Sequence, residues 1–97
     1  MTTYIMLAKY TDKGMQAVRD SPRRLDAARA QLREMGGDFK AFYMTMGEWD
    51  LVFIYDAPDD AVATRFTLML GQAGYVRTMT MKAFPEPAYR EIINSLG

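Results

Sequence analysis

Three stretches of this 97-residue chain bring together side chains capable of chemistry. Gly47-Glu48-Trp49-Asp50 sets the single tryptophan between two carboxylates. Glycine supplies the positive φ that a tight turn asks for, and an aspartate accepts backbone N–H bonds across such a turn. An amphipathic aromatic plate beside acceptors suits a small ligand, above all one with an ammonium group. On the plainer reading, Trp49 packs against a second subunit and Asp50 only ties the turn. The second stretch is Ser21-Pro22-Arg23-Arg24. Ser21 as N-cap and Pro22 at the first helical position are locally consistent, yet two arginines in a first turn oppose the helix macrodipole. A local rule broken in this way marks a candidate functional position. Ser21, Arg23 and Arg24 at a helix start suit a carboxylate or phosphate; the plainer reading is a solvated turn, or pairing with Asp20, Asp26 or an acid of another subunit.

The third is Met-Thr-Met, which occurs twice, as Met44-Thr45-Met46 and Met79-Thr80-Met81. Paired thioethers on one face of a strand are a Cu(I) ligand set. In a chain with nine methionines, however, soft core filler is the simpler account, and no metal site is expected. Tyr43, Tyr55, Glu48 and Asp50 form a pool for acid–base work, but no spacing selects a pair among them. Gly71-Gln72-Ala73-Gly74 closes a helix rather than opening one, so there is no phosphate-cradling loop.

Absences narrow the chemistry further. The chain has no histidine and no cysteine, which removes an imidazole base, a catalytic triad, an ordinary zinc site, thiolate chemistry and disulfides. No cofactor is expected. Lysine plus arginine number 12 and aspartate plus glutamate number 12, so no global basic field attracts nucleic acid or an acidic membrane. Leu51 to Tyr55, an apolar run as long as any in the chain, falls far short of a membrane span. No basic residue precedes the first apolar stretch, so a secretory signal is not expected and the cytoplasm is the default location.

These residues need positioning. Surface scaling for this mass gives about 5,700 Å² folded, about a third of the extended chain, enough for one core without staples. A single domain over residues 1–97 is expected. Thr3 to Tyr10 reads as a strand ending at the N-cap candidate Thr11-Asp12. A short helical piece with Met15 and Val18 on one face precedes Pro22, and Leu25, Ala28, Leu32 and Met35 then give a helical stripe up to Gly36-Gly37. Phe39 to Met46 and Leu51 to Tyr55 flank the 47–50 turn as a β-hairpin. Pro58-Asp59-Asp60 opens a second long helix with the stripe Val62, Phe66, Met69, Leu70, Ala73. Val76 to Phe84 is a fourth strand, and residues 86–97 form an amphipathic tail helix. The order βαββαβ is the ferredoxin-like arrangement, α+β with an antiparallel four-stranded sheet.

Two helices cover one face of such a sheet. The first strand nevertheless has Tyr4, Met6, Ala8 and Tyr10 on one side with Ile5 and Leu7 on the other, and Leu51 to Tyr55 is apolar on both. A half-solvated sheet alternates apolar and polar. The expectation is therefore a homodimer with two sheets face to face, with a higher oligomer left open.

Taken together, Asp20-Ser21-Pro22-Arg23-Arg24-Leu25, Gly36-Gly37, Gly47-Glu48-Trp49-Asp50, Ala57-Pro58-Asp59-Asp60 and Val76-Arg77-Thr78 resemble the GYD-domain family of small bacterial and archaeal proteins. That family is named for a Gly, an aromatic (usually Tyr) and an Asp at the hairpin; Trp49 takes the aromatic place here. The resemblance implies the dimeric α/β-barrel superfamily and no particular activity. More distantly, the hairpin and Gly74-Tyr75-Val76-Arg77-Thr78-Met79-Thr80 are similar to the effector-binding domain of leucine- and asparagine-responsive regulators, where the hairpin region contributes to an amino-acid site between dimers. Haem-binding relatives usually need a proximal histidine, which this chain lacks.

Two functional expectations follow. One is a non-enzymatic dimeric module that binds a small amino-acid-like or carboxylate ligand near Gly47–Asp50. The other is a cofactor-independent isomerase or monooxygenase acting on a phenolic or polyketide-like substrate in an apolar cavity between helices and sheet. A dry cavity with a strongly shifted carboxylate or tyrosine favours the enzyme; a shallow polar pocket at the hairpin favours the module.

Overall fold

The computed structural model describes residues 1–97. Strand β1 runs over Thr2–Tyr10, followed by the short helix α1 (Asp12–Gln16), a 3₁₀ turn (Val18–Asp20) and helix α2 (Ser21–Glu34). Strands β2 (Asp38–Met44) and β3 (Leu51–Ala57) form the hairpin, helix α3 (Asp60–Ala73) leads to β4 (Val76–Ala83), and α4 (Glu86–Asn94) ends the chain. The antiparallel sheet has the order β2-β3-β1-β4, and it is open rather than closed on itself. The architecture is the expected ferredoxin-like α+β fold.

Local chemistry explains the boundaries. The Asp59 side chain accepts from the Val62 N–H at 2.9 Å and so caps α3, and Gly74, at φ 86°, closes it in the left-handed region. Helix α2 starts one residue earlier than its sequence suggests. Asp20, not Ser21, holds the N-cap position and makes no side-chain cap bond, because the 3₁₀ turn feeds straight into the helix. Pro22 is tolerated there because first-turn N–H groups have no intrahelical acceptor. The hairpin loop is longer than four residues: β2 ends at Met44, and the Thr45 N–H donates to the Asp50 carbonyl at 2.8 Å.

The core lies between the helices and one face of the sheet. Tyr4, Met6 and Ala8 of β1, Leu51, Phe53, Tyr55 and Ala57 of β3, Ala28 and Leu32 of α2, and Ala63 and Phe66 of α3 are all buried. Tyr55 packs edge-on against Phe66 with centroids 5.3 Å apart, and Phe39 meets Phe66 in the same way at 6.2 Å.

The opposite face has no cover within the chain. The pairing register aligns Ala41, Ile54, Ile5 and Met81 in one row across the sheet, and Tyr43, Val52, Leu7 and Met79 in the next. Strand β4 makes the point most sharply. It turns Thr78, Thr80 and Lys82 to the helix side and its two methionines to the open side. Met79 and Met81 are 43% and 40% exposed, while Met44 and Met46 are exposed at the hairpin. The expectation of methionine core filler is therefore corrected, since both Met-Thr-Met pairs lie at the surface of the chain. They also fall at opposite edges of the sheet, which separates them as a ligand set.

Helix α4 stands away from the body. The radius of gyration is 14.6 Å, against about 12.5 Å for a compact domain of this length. The accessible surface is 6567 Å², against about 5,700 Å² for this mass. The excess matches an uncovered sheet face and a projecting helix on which Tyr89, Ile92, Ile93 and Leu96 are exposed.

Candidate functional site

The Gly47–Asp50 turn sits at one end of the sheet, and Asp50 anchors it. Its Oδ2 accepts the Tyr10 N–H at 2.9 Å, and its own N–H donates to the Ala8 carbonyl at 2.9 Å. Hairpin and β1 are thus tied together where β1 ends. Gly47 has φ 145°, within the range that favours glycine. Trp49 is half-buried, and the Lys9 ammonium lies 4.9 Å from its ring centroid. Glu48 reaches the same ammonium at 3.9 Å, both side chains being largely solvated. The aromatic plate, the Glu48 carboxylate and a cation are therefore grouped, with the chain's own Lys9 in the place an ammonium ligand would take, while the Asp50 carboxylate is turned to the β1 backbone. Sequence reasoning missed Lys9. Its signal was the β1 register, which ends beside the turn.

At the start of α2 the two arginines part. Arg23 is exposed. Arg24 folds back, so that its Nη1 donates to the Ala17 carbonyl at 3.0 Å and its guanidinium stacks 4.2 Å from the Tyr75 ring centroid. The arginine that opposes the α2 dipole is held by a carbonyl at the C-terminal end of α1 and by an aromatic face. It makes no ion pair, and its Nη2 is buried with no hydrogen-bond partner. Lys13 lies over the same tyrosine at 4.4 Å and donates to the Ala73 carbonyl at 3.0 Å. Gly14 permits this arrangement, because a Cβ there would lie 2.0 Å from the Tyr75 carbonyl oxygen.

Between α2 and α3, over the hairpin end of the sheet, lies a cavity of about 730 Å³. Ser21 and Arg24 line it, as do Met44 and Leu51, which flank the hairpin loop. Arg23 and the four turn residues 47–50 do not. The structure thus joins part of one sequence-predicted site to the edge of the other, and leaves the turn itself outside. Phe42, Phe53, Met69 and Leu70 make the walls apolar, and no carboxylate lines the space.

The tyrosines whose hydroxyls are shifted lie elsewhere. Tyr4 is pushed up to about 12, first by burial and then by its hydrogen bond to Asp60, whose negative charge adds to the rise. That bond is 2.5 Å long, and Lys82 contacts the other Asp60 oxygen at 3.2 Å. The Asp60 carboxyl is held below its usual range, chiefly by the Tyr4 hydroxyl and then by Lys82. Burial raises the Tyr55 hydroxyl, and the neighbouring Thr67 offsets part of the rise. Neither tyrosine lines the large cavity, and Tyr4 with Asp60 borders only a shallow depression beside α3. No helix is long and apolar enough to cross a membrane.

The sequence model of a family described as GYD domain matches residues 4–93. A protein of Thermus thermophilus described as a glutamine synthetase and cystathionine beta-lyase binding protein is 35% identical over 86 residues, covering 88% of this chain and 90% of its own. Among solved structures, FFRP-DM1 superposes with a TM-score of 0.58 at 20% identity, over 87% of this chain and 100% of that one. A hypothetical protein, PHS023 of Pyrococcus horikoshii, superposes with a TM-score of 0.56 at 20% identity, over 87% and 90%. The two structures bear on the fold alone. The chain belongs to the GYD-domain family.

Proposed function

We propose that this GYD-domain chain is a homodimeric, non-enzymatic binding module of the cytoplasm. Two copies pair through the open sheet face, and each presents its Gly47–Asp50 hairpin to a small amino-acid-like or carboxylate ligand, free or displayed by a protein partner. The observation that carries the reading is the pair of apolar rows, from Ala41 to Met81 and from Tyr43 to Met79, facing away from every helix of the chain. An identical sheet is the cover that fits this shape. Helix α4 adds support. A nine-residue helix is marginal in water on its own, so its stripe Tyr89, Ile92, Ile93 and Leu96 calls for a surface beyond the chain's body.

The binding role draws on the Thermus relative, described as binding two enzymes. By that likeness the partners of this chain are enzymes of amino-acid metabolism. At the hairpin, a zwitterionic ligand would set its ammonium against Asp50 and the face of Trp49, displacing Lys9 from that face to meet its carboxylate.

Sedimentation at low micromolar concentration tests the assembly, with twice 11.1 kDa expected; a stable folded monomer at that concentration overturns it. Asp50→Asn tests the hairpin. Keeping the shape but not the charge, it should weaken binding of a ligand found by thermal-shift screening by about 1–3 kcal/mol, with the dimer intact. Unchanged affinity would make the hairpin purely structural.

A cofactor-independent isomerase or monooxygenase has one observation in its favour, the apolar cavity between helices and sheet. Its only ionisable lining groups are Tyr10, Arg24 and Tyr75. An acid–base mechanism would have to run through one of the two tyrosines.

A further inference from the structure

The cavity between α2 and α3 has features that the hairpin reading does not use. Its volume, about 730 Å³, is in the range of sites that enclose a small organic molecule, about 300–1,000 Å³. Its walls are apolar side chains of both helices and the sheet, and Phe42, Met69 and Leu70 are only partly buried. The one charged side chain in the lining is Arg24. Its charge meets no carboxylate, and one of its terminal nitrogens is buried without a partner. That nitrogen is closed to the cavity as it is to solvent, so an anion would meet the guanidinium's other N–H groups, and a cation at the edge of an apolar space is poorly solvated.

We propose that this cavity binds an amphipathic monocarboxylate, with its apolar body between Phe42, Leu51, Met69 and Leu70 and its carboxylate on the Arg24 guanidinium. Arg24 is the one charged side chain in the lining, though the Lys13 ammonium shares the Tyr75 ring with it, and a planar guanidinium matches a planar carboxylate in shape. Stacking on Tyr75 and the bond to the Ala17 carbonyl hold the guanidinium in place, so little side-chain freedom is lost when the anion arrives. Ser21, Gln31 and Gln72 in the lining offer polar contacts for a substituted acid. This site is separate from the Gly47–Asp50 turn, whose residues do not line the cavity, and it stands without that reading.

The test uses 4-phenylbutyrate as probe, with 4-phenylbutan-1-ol as its uncharged counterpart, titrated against the whole protein while backbone amide chemical shifts are followed. The expected result is saturable shifts at Phe42, Leu51 and Leu70, with the acid bound about 10-fold or more tighter than the alcohol. Arg24→Gln should remove that preference and leave alcohol binding unchanged, and Arg24→Lys should restore part of it. Ala27→Trp, at an exposed position on the cavity rim, should weaken both probes. Asp50→Asn should leave both unchanged. Equal affinity of acid and alcohol for the unaltered protein overturns the proposal without recourse to any variant. So does the absence of shifts at 10 mM of either probe, or shifts confined to the hairpin and lost in Asp50→Asn.

Discussion

Ile5→Lys places a charge at the centre of the open sheet face, between Ile54 on β3 and Met81 on β4. Within one chain this position faces solvent, so the change should cost the fold no more than about 1 kcal/mol. In the face-to-face dimer the outcome is different. Four strands spaced about 4.8 Å apart, over about 20 Å of strand, give each copy roughly 400 Å² of contact in projection. The two copies together would then gain about 20 kcal/mol gross at 25 cal/mol per Å². Lost translational and rotational freedom takes back about 4–15 kcal/mol, which leaves an association of moderate strength. Each lysine buried in that interface carries an effective penalty of several kcal/mol, and symmetry supplies two of them. Even about 2.5 kcal/mol apiece weakens the dimer several-thousand-fold. Sedimentation velocity at about 5 µM should therefore move from twice 11.1 kDa to 11.1 kDa or to an unfolded chain. A folded Ile5→Lys variant that still sediments as a dimer of unchanged affinity would refute the assignment of this face as the interface.

Three further outcomes follow from the same geometry. Gly14→Ala should destabilise by about 1–3 kcal/mol in urea titration, although alanine is the better helix former, because the new Cβ would strike the Tyr75 carbonyl; unchanged stability would mean that α1 moves freely over β4. Tyr4 titrates at about 12 in the folded chain and near 10 when unfolded, so its contribution to stability is complete below pH 10 and is lost as pH rises to 12. Tyr4→Phe should consequently lose stability less steeply than the unaltered protein across that window, and parallel curves would contradict the shift. Replacing Ile92 and Ile93 together by glutamate should leave the body folded but weaken the dimer by about 10-fold or more if α4 docks on the second copy; unchanged sedimentation would free that helix from the assembly.

The elements were legible because each carries its own local signal. The Leu25, Ala28, Leu32 stripe faces the core as its spacing requires, and Asp59 and Gly74 bound α3 through capping chemistry written within a few residues. The two-sided apolar character of Leu51 to Tyr55 was equally readable, because strand alternation depends on nothing beyond the strand. The methionines were misjudged for an instructive reason. Composition gives soft filler, but whether Met79 and Met81 point to the helices or away from them depends on the β1–β4 register, which no local rule fixes.

The site divides along the same line. Arg24 stood out in the sequence because it opposes a helix dipole, yet its resolution lies in Tyr75, 51 positions further on, and in a carbonyl at the end of another helix. The cavity left a fainter trace. Leu25, Met69 and Leu70 look like ordinary core positions, and the helix residues beside them in the lining are small, Ala27 and Ala28 on α2 and Ala73 on α3. Alanines on facing stripes permit either close approach of two helices or a gap between them. Here a gap results, lined from the sheet by Tyr10, Phe42 and Phe53. A space lined in this way, with one guanidinium in its lining, is a consequence of packing across several elements and not of any local signal.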